Sequence, residues 1–238
     1  MQFLYVEDTV IGPARAWAER FTKAMQRDFA VVAADAFELP SDEGGAPAET
    51  DLIFFATDTR ARRVQHWLDL ARELRIPYLF LTPAMHYPEG TLTNVLAPVT
   101  MLEEEVHKAE LLSHLARYTD CAVTLLPAHD YGSRARTNTG KIRTFLDTRQ
   151  ADLGKEFHIE EQTAHADSMS LHKELYGNIN LQIYKFTNLQ IDLIVWTASR
   201  DYGLDDLIFG PAERKLILHA TVPVALLNPR GDLYSLCD

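Results

Sequence analysis

The sequence predicts an α/β protein made of two doubly wound, open parallel sheets in tandem, of which the first copy is trimmed. Three observations predict this class. Short apolar segments alternate with amphipathic helical segments, the order produced by parallel strands and crossover helices. The predicted strand 51–58 contains the continuous apolar run that is typical of a parallel strand buried on both faces. Two pairs of segments also repeat: 49–58 resembles 190–199, and 73–83 resembles 218–229.

The first half of the chain contains four predicted strands and two predicted helices. The strands are residues 3–8, 29–37, 51–58 and 76–83. The helices are 11–28, with Pro13 in the first turn, and 59–74. The acidic stretch 38–50, rich in Gly and Pro, is predicted to be a loop. At the same place the second half has a helix, a strand and another helix, which is why the first copy is described as trimmed.

The second half repeats this plan at greater length, with five predicted strands and four predicted helices. The strands are 94–99, 121–128, 157–164, 191–198 and 222–229. The helices are 102–119, 138–156, 170–190 and the segment after Gly210. We therefore predict an N-terminal domain over 1–84, a linker over 85–93 and a C-terminal domain over 94–238.

Residues 191–229 contain the most specific pattern: a strand that opens with Asp-Leu-Ile-Val, then a long loop, an Ala-Glu-Arg helix and a Pro-Val strand. This pattern resembles the universal stress protein family in its tandem, two-copy form. The resemblance implies two Rossmann-like domains with a degenerate first copy. It also implies sheets that pair through their last strands, so that 78–82 and 223–227 meet about a pseudo-twofold axis. The first copy would then serve as a built-in dimer partner.

In nucleotide-binding members of that family, a motif of the form G-x2-G-x9-G-[ST] lies against the phosphates and ribose, because bare backbone N–H groups can approach there. The matching positions in this chain are Thr197, Arg200, Gly210 and Pro211. Only one glycine remains, and proline has neither an N–H nor a hydroxyl to offer. These departures imply that ATP and AMP are not bound in the ordinary way, and no cofactor is expected.

The resemblance also marks the position at the end of the first strand, where family members tend to place an Asp beside the base. That position is Thr100 in the second half and Asp8 in the first, which has no glycine motif. An altered nucleotide pocket lined by Thr100, Thr197, Arg200 and Gly210 remains an alternative. In it Arg200 would supply the phosphate donor, since a guanidinium binds phosphate strongly.

Composition narrows the classes of partner. The formal net charge is −11, which argues against a nucleic acid or an anionic membrane as the main partner, because both need a basic face. No stretch approaches the ~20 apolar residues that span a bilayer. Two cysteines are too few for a disulfide framework. The first ten residues lack the features of a signal peptide, so a cytoplasmic location is expected.

Individual polar segments have ordinary structural interpretations. The cationic stretch 133–141 is interpreted as a solvated loop before a helix, and the acidic run 101–110 as glutamates that stabilise a helix start through its dipole. His129 and Asp130 follow a strand, but no nucleophile accompanies them. The histidines lack metal-ligand spacing. We predict no catalytic and no metal-binding residues.

These observations favour a non-catalytic stress-response or regulatory protein. Its partner would be an unidentified protein or small molecule, and a homodimer is an open alternative. Weak nucleotide binding or hydrolysis in the second half is the alternative function. A third alternative, an unrelated flavodoxin-like enzyme, requires a catalytic cluster that the sequence does not show.

Overall fold

The computed structural model describes residues 2–37, 50–72, 74–128, 133–161, 191–198 and 211–228, which form one sheet with helices on both faces. The strands are β1 (Gln2–Glu7), β2 (Asp28–Ala33), β3 (Thr50–Ala56), β4 (Tyr78–Leu81), β5 (Asn94–Val99), β6 (Ala122–Pro127), β7 (His158–Glu161), β8 (Leu193–Thr197) and β9 (Val224–Leu227). The α-helices are α1 (Gly12–Ala24), α2 (Ala61–Ala71), α3 (Lys108–Thr119), α4 (Arg134–Leu153) and α5 (Ala212–His219). Short 3-10 helices cover Ala34–Ala36 and Glu103–His107.

The strand order of the sheet is β2-β1-β3-β4-β9-β8-β5-β6-β7. Strands within each half of the chain pair in parallel, whereas β4 and β9 pair in the antiparallel sense. Tyr78 lies opposite Leu226, and Phe80 opposite Val224. The prediction that segments 78–82 and 223–227 meet is therefore confirmed, and they join the two halves into one sheet.

The core divides into two layers because successive strand residues face opposite sides of a sheet. Phe3 and Tyr5 of β1 belong to the layer covered by α1, α3 and α4. Leu4 and Val6 belong to the layer covered by α2 and α5. Since helices cover both faces, the doubly wound α/β class predicted from the sequence is confirmed, and the described strands form one nine-stranded sheet.

The structure corrects the interpretation of the cationic stretch 133–141. It is not a loop, because residues 134–141 form the first turns of α4. The helix buries a stripe at helical spacing whose first members are small or polar, which made the pattern hard to recognise. The stripe consists of Ala135, Asn138, Thr139, Ile142 and Leu146.

Several predicted features lie outside the described residues. They are the helix predicted over 170–190, the pair His129–Asp130, and the candidate pocket residues Arg200 and Gly210. The strand predicted over 157–164 is described as β7 and extends to Glu161.

The predicted linker 85–93 has no regular secondary structure, but it packs against the rest of the protein. Met85 and Leu92 are buried. The His86 amide donates a 2.7 Å hydrogen bond to the Thr221 carbonyl, and the Arg20 guanidinium donates one of 2.9 Å to the Pro88 carbonyl. None of the helices in the described ranges is long and apolar enough to cross a bilayer.

Candidate site at the carboxyl ends of β5 and β8

The carboxyl ends of β5 and β8 bring together two of the predicted pocket residues. Thr100 directly follows β5, and Thr197 is the last residue of β8; both are buried. The next α-helix after β5 is α3, which packs on one face of the sheet, and the helix described after β8 is α5, which packs on the other face. Because β5 and β8 are neighbours in the sheet, their carboxyl ends form a topological switch point. Ligands of open α/β sheets bind in the crevice outside such a point.

A carboxylate of the protein itself occupies this crevice. The Thr100 hydroxyl donates a 2.6 Å hydrogen bond to Glu105 Oε1, and the Thr197 hydroxyl donates one of 3.1 Å to Glu105 Oε2. The Glu105 side chain is only 3% exposed. Both threonine hydroxyls that would face a ligand are therefore already bonded to an internal anion.

Lys108 supplies the countercharge. Its Nζ lies 2.5 Å from Glu105 Oε2 and donates a 2.5 Å hydrogen bond to the Pro98 carbonyl of β5. The lysine side chain is 0% exposed. Buried charges are tolerated in proteins when they are paired and hydrogen-bonded, and this pair meets both conditions.

Asn138 of α4 holds the segment that carries Glu105. Its Nδ2 donates hydrogen bonds of 3.1 Å to the Thr100 carbonyl and 2.7 Å to the Leu102 carbonyl. Because α4 also packs on α3 and the sheet, this side chain ties the start of the Glu105 segment to a rigid element. Groups from β5, β8, the 3-10 helix Glu103–His107, α3 and α4 are thus bonded to one another at this edge of the sheet.

Pro211, the last of the four positions compared with the glycine motif, directly precedes α5. It is the N-cap residue of this helix, with a φ of −64° and an extended ψ of 156°. It has no N–H to direct at an anion, so the amide that a nucleotide-binding member would use is missing at this position.

The first half has a similar but more open arrangement. Asp8 directly follows β1, and the Thr57 hydroxyl after β3 donates a 2.8 Å hydrogen bond to Asp8 Oδ2. Arg63 of α2 forms an ion pair with Asp8 Oδ1 at 2.7 Å. The Asp8 side chain is 2% exposed and the Arg63 side chain 46%, so the cation reaches the crevice from the solvent side.

The shifted pKa values have separate, local causes. Burial raises the pKa of the Cys121 thiol to about 11 and raises the pKa values of the Tyr5 and Tyr87 hydroxyls above their usual range. A hydrogen bond from Arg60 lowers the pKa of Asp58. These shifts do not single out an acid or base at the crevice. In the described part of the chain, no group of three or more potential ligands is placed to hold a metal ion.

Sequence reasoning missed Glu105, Lys108 and Asn138. The sequence interpretation treats Glu105 as one of several acids that stabilise a helix start through its dipole, but Glu105 is buried. A signal was present: Glu105 and Lys108 precede the buried residues Leu112 and Leu115 by two helical turns each. Both charged residues therefore extend the row of core positions that Leu112 and Leu115 occupy.

Comparison with solved structures places this architecture among known folds. A universal stress protein from Archaeoglobus fulgidus DSM 4304 matches with a TM-score of 0.52 and 13% identity, over 98% of this chain and 87% of that one. The fold is that of the universal stress proteins. No family model matches the chain, and no curated protein matches it either.

Two further solved structures match the chain at different levels of similarity. The cytoplasmic domain of a prokaryotic cation chloride cotransporter matches with a TM-score of 0.54 and 8% identity, over 98% of this chain and 97% of that one. A universal stress protein in complex with cAMP matches with a TM-score of 0.42 and 11% identity, over 59% of this chain and 100% of that one.

Proposed function

We propose that this chain is a universal stress protein-like regulatory protein of the cytoplasm that performs no catalysis and binds no nucleotide in its second-half crevice. One observation carries the proposal: the Glu105 carboxylate lies between Thr100 and Thr197 and is paired with Lys108. The crevice lies where open α/β sheets bind ligands, but the polar groups described there are bonded to each other.

Electrostatics explains why a nucleotide phosphate is excluded. A phosphate that entered between Thr100 and Thr197 would meet the negative charge of Glu105 in a region shielded from water, where like charges repel strongly. Displacing Glu105 would first break its pair with Lys108. Separating a buried pair typically costs about 3–5 kcal/mol, which would be subtracted from any affinity for the phosphate.

We further propose that the two halves are copies of one unit that pair within the chain. The repeated sequence segments fall on equivalent strands: 49–58 and 190–199 include β3 and β8, and 73–83 and 218–229 include β4 and β9. The antiparallel contact of β4 with β9 is the one that a twofold axis between two copies would produce. The first half then acts as the built-in partner of the second.

A protein ligand is the partner class that we propose for this pair. The cotransporter domain that shares the fold over nearly its whole length is, by its description, the cytoplasmic part of a larger transport protein. That similarity supports a role in which a sheet of this size associates with other protein segments. A small-molecule partner elsewhere on the surface is the alternative.

The test is thermal unfolding of the full chain with ATP, AMP and Mg²⁺, together with an ATP hydrolysis assay. We expect an unchanged unfolding temperature up to millimolar nucleotide and no hydrolysis above the buffer rate. A nucleotide present at 100 times its dissociation constant would stabilise the protein by about 2.7 kcal/mol, which is readily detected.

The Arg200→Ala variant separates the possible outcomes. A nucleotide response in the natural chain that disappears in this variant would establish the altered pocket and overturn the proposal. A response that persists in the variant would place the nucleotide away from Arg200 and would not support the altered pocket.

A further inference from the structure

The C-terminal halves of α3 and α4 enclose a small polar cleft. Its volume is about 280 Å³, below the range of about 300–1,000 Å³ that is typical of sites for drug-sized ligands. Two guanidinium groups, an imidazole, a hydroxyl and one apolar side chain line it. They belong to Ser113, His114 and Arg117 of α3 and to Arg149 and Leu153 of α4. A cleft of this size, with basic groups in its wall, suits a small anion.

This cleft lies at the edge of the sheet opposite to the crevice that contains Glu105. Helix α3 leads into the start of β6, and α4 leads into the start of β7, so the last turns of both helices lie near the amino ends of these strands. The crevice lies at the carboxyl ends of β5 and β8, which belong to the same parallel set of strands. An anion bound in the cleft is therefore independent of nucleotide binding in the crevice.

Positive charge exceeds negative charge at the cleft. Arg149 Nη2 donates a 3.3 Å hydrogen bond to Glu110 Oε1, which leaves the other N–H donors of this guanidinium for a ligand. The Arg117 guanidinium has no acidic partner in the described part of the chain and lies over the Tyr118 ring, 4.9 Å from its centroid. One carboxylate thus faces two guanidinium groups, in a chain whose formal net charge is −11.

Helix geometry explains only one of the two arginines. Arg117 lies in the last turn of α3, where a cation stabilises the helix dipole. Arg149 comes from the other helix and lines the same cleft. Asp120, the acid nearest to Arg117 in the sequence, already pairs with Lys155 at 2.6 Å. The two guanidinium groups therefore converge at a place where no second carboxylate of the described chain meets them.

His114 contributes a third polar group, and its side chain is only 8% exposed. Its Nδ1 lies 2.9 Å from the Glu110 carbonyl, which can only accept a hydrogen bond, so the proton of the neutral ring is on Nδ1. On the other side of the ring, Nε2 has no hydrogen-bond partner among the described residues. Buried polar groups are normally hydrogen-bonded, so this nitrogen favours a ligand that can donate to it.

We propose that this cleft binds a phosphate group that carries a hydroxyl, either as the free ion or at the end of a small phosphomonoester. The guanidinium groups of Arg117 and Arg149 donate to the phosphate oxygens, which pair well with such forked donors. The phosphate hydroxyl donates to Nε2 of the neutral His114 ring. A carboxylate would satisfy the two arginines but has no hydroxyl for this nitrogen, so phosphate fits the complete set of groups better.

The test is a titration of the full chain with inorganic phosphate at neutral pH and constant ionic strength, followed by NMR of the histidine ring protons. We expect a saturable shift of the His114 signal, which is assigned by its loss in His114→Gln. Arg117→Gln should weaken phosphate binding at least tenfold, because it removes charge-assisted hydrogen bonds. Arg62→Gln is the matched control: it removes the same charge from an exposed position on α2 and should bind phosphate like the natural chain.

A second variant and two further ligands complete the experiment. Arg149→Gln, on the other helix, should also weaken binding, so the result does not depend on the folding of one variant. A simple phosphomonoester that binds as tightly as phosphate would identify a phosphorylated small molecule as the ligand, and one that does not would identify the free ion. Acetate should bind at least tenfold more weakly than phosphate.

Three results would overturn the proposal. They are the absence of a saturable shift up to tens of millimolar phosphate, equal phosphate affinity in the natural chain and both arginine variants, and acetate affinity equal to that of phosphate. None of them depends on whether the crevice binds nucleotide.

Discussion

The carboxyl-end crevices of the two halves use the same chemical components with different exposure. In both, a buried carboxylate accepts a hydrogen bond from a threonine at a strand end and pairs with a cation from a helix. In the first half the cation is Arg63, whose side chain is 46% exposed. In the second half it is Lys108, which is fully buried, and Glu105 comes from the chain just after β5. The difference shows how one position in the fold yields either a screened surface pair or an internal network.

The comparison predicts that the two ion pairs contribute unequally to the free energy of unfolding. Water and salt screen a pair that includes an exposed arginine, so such pairs contribute little. A buried pair is different, because removing one partner leaves the other charge without compensation in a region of low dielectric constant. The second crevice should therefore be sensitive to single substitutions, whereas the first should tolerate them.

The largest expected effect is that of Lys108→Met or Glu105→Ala. Each single variant should lower the free energy of unfolding by about 3–5 kcal/mol, measured by denaturant titration, because a buried charge loses its partner. The exposed Glu103 lies on the same short helix, and Glu103→Ala should stay within about 0.5 kcal/mol of the natural chain.

The double variant Glu105→Leu with Lys108→Met sharpens this prediction. It removes both charges, so it should be more stable than either single variant. A double variant whose loss equals the sum of the two single losses would show that the two residues act independently, contrary to the pairing seen here.

An intermediate effect is expected for Asn138→Ala. The change removes the amide donor that bonds the Thr100 and Leu102 carbonyls. It should lower the free energy of unfolding by about 1–3 kcal/mol. Thr137→Ala is the neighbouring control, since the Thr137 hydroxyl bonds only to the Ser133 carbonyl at an exposed position. Equal losses in the two variants would argue against a special role for Asn138 in closing the crevice.

The smallest effect is expected for Arg63→Gln in the first half. The free energy of unfolding should fall by at most about 1 kcal/mol, because the arginine of the ion pair with Asp8 is exposed to solvent. In high salt the decrease should be smaller still, since ions screen the pair. Unfolding midpoints at low and high salt give the measurement. A loss as large as that of Lys108→Met would eliminate the proposed contrast between the crevices.

Strand segments were predictable because parallel strands buried on both faces are apolar along their whole length. The repeated segments 49–58 and 190–199 indicated equivalent strands, and the meeting of segments 78–82 and 223–227 is confirmed in the sheet. The prediction for 133–141 was wrong, since basic and polar residues hid the helical stripe that begins at Ala135 and Asn138.

The closure of the crevice was not predictable in the same way. Glu105 bonds Thr197, which lies 92 residues further along the chain. A charged residue at a core position of a helix looks like a surface residue until its partners are known. Periodicity indicates which apolar residues are buried, but it does not indicate which polar groups form hydrogen bonds with one another.

The sequence by itself therefore determined the α/β class of the fold and the positions of most strands, since local apolar patterns decide these features. Only the tertiary structure decided that Glu105 and Lys108 fill the crevice. The physical reason is that burial of a charge depends on groups from distant segments that meet only when the sheet forms.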